Sequence, residues 1–91
     1  MWTVLLSSRA RKNRRMLPAR IEAAFKVLLA ELECDGPTRA NWANYAKLGD
    51  QTHHCHIKKG RPTYVAVWRV EKGRIRIIEV TYVGTHEKAP Y

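Results

Sequence analysis

Two β-rich stretches, residues 63–70 and 74–83, are separated only by Glu71-Lys72-Gly73. Strands joined by so short a polar turn pair antiparallel, and an isolated pair is marginal in water, so more of the chain must join them. Residues 53–58 supply another β-prone run, and Lys59-Gly60-Arg61-Pro62 turns it into the pair. A three-stranded antiparallel meander follows. The short run at residues 2–6 cannot stand alone as a strand and is assigned to the same sheet.

A sheet needs a cover, and the chain has one good candidate. Ile21, Ala24, Phe25, Leu28 and Leu32 recur at spacings of three and four, between Pro18, which suits a first helical turn, and a stop near Asp35-Gly36-Pro37. Ahead of it, Ser7 or Ser8 can cap a helix running to about Met16. With Ala10, Met16 and Leu17 as its apolar content, that helix reads as a basic surface rod. Residues 36–52 read as a loop pinned to the domain by Trp42, Tyr45 and Leu48. The predicted class is α+β, with element order β-α-α-β-β-β and two N-terminal helices packed on one face of an antiparallel sheet. At 91 residues the chain is expected to form a single domain, residues 1–91, with one modest core.

Lys and Arg number 17 against 8 Asp and Glu, a formal net charge of +9. The excess is patterned: Arg9, Arg11, Lys12, Arg14, Arg15 and Arg20 occur with no acid among them, a mildly acidic helix follows, and the C-terminal half is basic again. Such patches steer polyanions and release counterions, which makes nucleic acid the leading partner. An acidic protein would fit the same surface. No apolar run approaches the ~20 residues of a membrane span, and the first residues lack a signal-peptide pattern, so a soluble, cytoplasmic protein is expected. Cys34 and Cys55 have no CxxC spacing and read as two reduced thiols.

Chemistry-bearing residues gather in the second half. His53-His54-Cys55-His56 resembles a ligand run, but alternation along a strand puts His54 and His56 on one face and His53 and Cys55 on the other. Two ligands per face do not make a tetrahedral site; zinc on the His54/His56 face would need a third ligand such as His86 from a neighbouring strand, no CxxC or HxxxH spacing backs that, and neither metal nor cofactor is expected. The chain ends Gly84-Thr85-His86-Glu87-Lys88-Ala89-Pro90-Tyr91, with acid, base and phenol just past the last strand. Cleaving RNA through its 2′-hydroxyl takes a base, an acid for the departing 5′-oxygen, and cations for the charge growing on phosphate. A histidine's ordinary pKa of about 6.5 suits either proton transfer, so His86 is the main candidate. Glu87 is a second base, Tyr91 an acid or a stacking ring, and Lys58 and Arg61 the cations. Arg9, Arg11, Lys12, Arg14, Arg15, His54, His56, Lys59 and Lys88 are the expected RNA contacts.

The order of elements, Lys47-Leu48-Gly49 before the meander, residues 63–70 reading TYVAVWRV, and residues 75–80 reading IRIIEV ahead of Gly84-Thr85-His86 together resemble the RelE/ParE superfamily of toxin–antitoxin toxins. The histidine-bearing basic tail is more similar to the RelE-type mRNA endonucleases than to the ParE-type gyrase inhibitors. The resemblance implies ribosome-dependent, metal-free cleavage of mRNA, and inhibition by a cognate acidic antitoxin in a hetero-oligomer. By position it implies Lys58, Lys59 and Arg61 as the central-strand cations and His86 with Tyr91 as the C-terminal pair. Several relatives carry an aromatic residue directly after the tail histidine, whereas here four residues separate His86 from Tyr91. Two other functions share this sequence pattern: a non-catalytic gyrase-blocking toxin, and a basic nucleic-acid-binding module.

Overall fold

The computed structural model describes residues 1–91. They run β1 (Thr3–Leu6), α1 (Ser8–Arg14), α2 (Ala19–Asp35), β2 (Ala43–Lys47), β3 (Thr52–Lys58), β4 (Tyr64–Val70) and β5 (Ile77–Thr85), followed by a 3-10 turn at His86–Lys88. Sheet order is β1-β5-β4-β3-β2. The α+β class and the two helices on the sheet are as expected from the sequence. Two details differ. β1 lies parallel to β5, Thr3 opposite Ile77, so the sheet is mixed rather than antiparallel. The presumed loop also contributes an edge strand, β2, paired antiparallel with β3.

β2 is hard to recognise because Asn44 takes a left-handed conformation (φ 54°) where its register shifts. Asparagine tolerates that region better than most residues. Trp42 and Tyr45 pack against the core as anticipated, but Leu48 is 41% exposed and pins nothing. Glu31 on α2 holds the approach to β2: its Oε1 accepts from Asn41 at 2.8 Å, Trp42 Nε1 at 2.9 Å and Arg39 at 3.2 Å.

One main core fills the space between the sheet and the helices. α2 buries Ile21, Phe25, Leu28 and Leu32 at its helical spacing, and Cys55, Ala66, Trp68, Ile78, Val80 and Val83 meet that face from the strands. Gly36 ends α2 at φ 93°, and a Cβ there would lie 2.9 Å from Trp2 Nε1, so glycine lets the tryptophan just before β1 pack against the core. α1 starts at Ser7, whose Oγ accepts from Ala10 N–H and donates to Thr81 O, each at 3.1 Å. Such a cap contributes about 1 kcal/mol. β1 pairs only with residues 77–80 of β5. α1 packs along the remainder of that strand, with Ala10 buried in the main core and Arg9 over the Tyr82 ring.

β5 carries the feature that decides which residues face which way. Val67 pairs with Tyr82, yet its neighbour Trp68 pairs with Val80, leaving Thr81 as the extra residue of a β-bulge. Strict alternation would put Val80 and Tyr82 on one face. Because of the bulge, Val80 joins the main core, while Tyr82 joins Val65 and Val67 in a second cluster on the opposite face, with Ala89 against it. The strand begins at Ile77, three residues later than the sequence pattern indicates, since Arg76 is left-handed (φ 55°).

Candidate functional site

The C-terminal tail lies against the second face of the sheet. β5 ends at Thr85, the His86 N–H donates to Thr63 O at 2.8 Å, and the Tyr82 hydroxyl donates to Thr85 O at 2.7 Å. Both bonds hold the same peptide, Thr85–His86, which leads into the His86 Cα. The 3-10 turn His86–Lys88 then reverses the chain, and Ala89 packs on the Val65/Val67/Tyr82 cluster. Tyr91 is thereby brought back over the sheet.

Four rings meet there. His54 and His56 lie on one face of β3, as alternation requires, with ring centroids 6.4 Å apart. His86 meets His56 edge-on at 5.7 Å, Tyr91 lies against His54 at 4.9 Å, and His86 and Tyr91 are 5.9 Å apart. The four residues between His86 and Tyr91 do not separate their rings, because the turn folds the tail back. His54 and His56 each have a buried Nδ1 with no hydrogen-bond partner. Burial lowers both histidine pKa values, and a positive charge on His86 lowers them further; His54 and Lys59 add to the effect at His56. Both rings are therefore biased toward the neutral, proton-accepting form. Burial raises the Tyr91 phenol, which stays protonated at neutral pH.

Arg61 borders the same place. His86 and Arg61, with Thr63 and Glu87, line an open depression of about 450 Å³ at the β3–β4 hairpin. Lys58 and Lys59 instead share a neighbouring concavity of about 300 Å³ with Arg20, Arg61 and Tyr64. The cause is a register shift between His56 and Lys58, which pair with Val65 and Tyr64 and leave Ile57 as the extra residue. Arg61 lines both hollows.

The chain matches no family model and no curated protein. Solved structures do match. The YoeB dimer of Staphylococcus aureus superposes with a TM-score of 0.70 at 13% identity, covering 93% of this chain and 97% of that one. The archaeal RelE-RelB complex of Pyrococcus horikoshii gives 0.71 at 13%, covering 97% and 98%. The RelBE2 toxin-antitoxin complex of Mycobacterium tuberculosis gives 0.57 at 22%, covering 92% and 96%. The fold is RelE-like.

Within the RelE-like fold, the other basic residues have distinct surroundings. Arg14 is tied to Glu22 through three hydrogen bonds of 2.8 to 3.1 Å, which makes it a clamp between α1 and α2. Arg9 donates to Lys88 O and covers Tyr82. Arg11 and Lys12 are exposed on α1 and Arg15 at its C-cap, and Glu87 and Lys88 are exposed on the tail turn. The third histidine of the run, His53, faces the helix side: its Nδ1 is 2.6 Å from the Tyr45 hydroxyl, and its ring stacks on Trp68 at 6.0 Å. Cys55 is fully buried, and burial pushes its thiol up to about 12, so it is no nucleophile at neutral pH. No helix is long and apolar enough to cross a membrane.

The role open to His54 and His56 as partners of His86, rather than as RNA contacts alone, was not apparent from spacing. Alternation gives their common face, but their proximity to His86 and Tyr91 depends on the tail reversal.

Proposed function

We propose that this chain is the toxin of a toxin–antitoxin pair and cleaves mRNA on the ribosome by side-chain acid–base chemistry, thereby inhibiting translation in the cytoplasm. The observation that carries the reading is the convergence of His54, His56, His86 and Tyr91 on one sheet face, with Arg61 lining the adjoining depression. His56, biased toward its neutral form, takes the proton of the 2′-hydroxyl. The resulting oxygen attacks the adjacent phosphorus, and the bond to the 5′-oxygen breaks. His86 delivers a proton to that leaving oxygen, and the products are a 2′,3′-cyclic phosphate and a 5′-hydroxyl. Arg61 offsets the charge that grows on the non-bridging oxygens. Lys58 and Lys59 hold the flanking backbone from the next hollow. Tyr91, as a protonated phenol against His54, supplies a stacking surface and a donor.

The complexes of the RelE-RelB and RelBE2 neighbours support an antitoxin as the regulatory partner, and the net charge of +9 suits one with an acidic segment. Exposed Arg11, Lys12 and Arg15 suit either that segment or ribosomal RNA. The test is a purified translation reaction in which transcript ends are mapped. New 5′-hydroxyl ends that appear only when ribosomes are present support the proposal. Intact transcripts together with inhibited gyrase supercoiling would transfer the chain to the non-catalytic toxins.

A further inference from the structure

A third cavity, of about 240 Å³, lies beside the ring cluster but outside the proposed chemistry. It opens between α1 and the second half of β5, and its apolar part comes from Met16, Leu17, Tyr64 and Tyr82. Arg9 and Lys88 also line it. Asn13 contributes a carboxamide, whose nitrogen would stand 3.6 Å from a Cβ at Gly84. That side-chain amide takes part in none of the protein's own hydrogen bonds.

We propose that this cavity holds an adenine base of a single-stranded RNA, with Tyr64 as the stacking surface and Asn13 reading the base edge. The inference rests on the ribonuclease reading above, and four observations support it. An apolar slot with one free carboxamide and two cations suits a flat heterocycle on a phosphate chain. A carboxamide can pair bidentately with adenine N6 and N7, which fixes the choice of base. Base stacking on an aromatic ring is the usual anchor for unpaired RNA, and Tyr64 is only half-buried. The cavity also lies close to the proposed cleavage site: Tyr64 is shared with the Lys58/Lys59 hollow, and Thr85 and Lys88 are one and two residues from His86. A strand crossing the 3-10 turn would place one nucleotide here and its neighbour's phosphate near His86.

Gly84 permits this geometry. Its φ is +157°, and a Cβ would lie 2.7 Å from the Tyr82 hydroxyl, so any side chain would displace the phenol that floors the cavity.

The experiment is an amide-resolved NMR titration of the isotopically labelled full chain with adenosine monophosphate, uridine monophosphate, ribose 5-phosphate and an acidic peptide. Adenosine monophosphate should shift the Asn13 side-chain amide and the Gly84 backbone amide. Ribose 5-phosphate should leave both unmoved, uridine monophosphate should bind about tenfold more weakly, and N13A should remove that preference. Equal shifts with ribose 5-phosphate would make the cavity an anion site and overturn the proposal. Equal affinity for the two nucleotides would do the same, as would a response to the acidic peptide alone. The titration needs no RNA cleavage, so a chain that binds adenosine monophosphate here but cuts no transcript would retire the ribonuclease reading and leave this site standing.

Discussion

Tyr82→Phe isolates the link between the second hydrophobic cluster and the proposed catalytic turn. Tyr82 is 1% exposed, and its ring packs with Val65 and Val67 beneath Arg9, contacts that phenylalanine retains. What is lost is the hydroxyl that donates to Thr85 O at 2.7 Å. A net hydrogen bond contributes about 1 kcal/mol, and a part-buried carbonyl left without its donor adds a fraction of its desolvation cost, so the expected loss is about 1.5 kcal/mol. Urea unfolding should then show an unchanged m-value and a midpoint lower by about 1 M, and Tm should fall by about 6 to 10 °C. Thr85 O belongs to the peptide that leads into His86. Cleavage measured well below Tm should therefore lose about tenfold in kcat with little change in KM, since misplacement by a fraction of an ångström acts on the chemical step. A variant with wild-type stability, or one destabilised as stated but with wild-type kcat, would refute the role given to this bond.

Three other outcomes follow from the same geometry. Burial holds the pKa values of His53, His54 and His56 below the ordinary histidine value of 6.5. The unfolded chain therefore binds more protons as pH falls below about 6.5, and urea stability should decline there and level off once the folded histidines protonate. H54Q/H56Q should flatten that decline, which a pH series of unfolding curves will show. Glu31→Ala removes the shared acceptor of Asn41, Trp42 and Arg39 and should cost about 2 kcal/mol, with amide exchange rising first in residues 39–47. Arg61→Ala should leave the unfolding midpoint within about 0.5 kcal/mol of wild type, as expected for an exposed residue, while lowering kcat by about a hundredfold.

Much of the fold was legible because local chemistry and long-range packing agree. The serine cap at residue 7, the three-and-four spacing of Ile21, Phe25, Leu28 and Leu32, and the β-rich runs around Gly73 each point to the element that forms. Disagreement arises where one extra residue changes a strand's parity. The bulge at Thr81 sends Val80 and Tyr82 to opposite faces, and the one at Ile57 leaves Lys58 outside the hollow that holds His86. β2 was hidden by its exposure and by the left-handed Asn44, which leave only Tyr45 as an inward apolar signal. Sequence distance between His86 and Tyr91 suggested separation. The 3-10 turn and the anchoring of Ala89 on a cluster assembled from two strands, β4 and β5, bring them together, and nothing local encodes that contact.

The central claim is that the histidine cluster performs the cleavage. Its most direct test compares wild type, His86→Ala and His56→Ala in one translation reaction, with the rate of transcript cutting read by end mapping and folding verified by unfolding midpoints. Wild type should cut, and each variant should fold and lose cutting by at least a hundredfold, as removal of a general acid or base does. Equal cutting by wild type and His86→Ala would contradict the account.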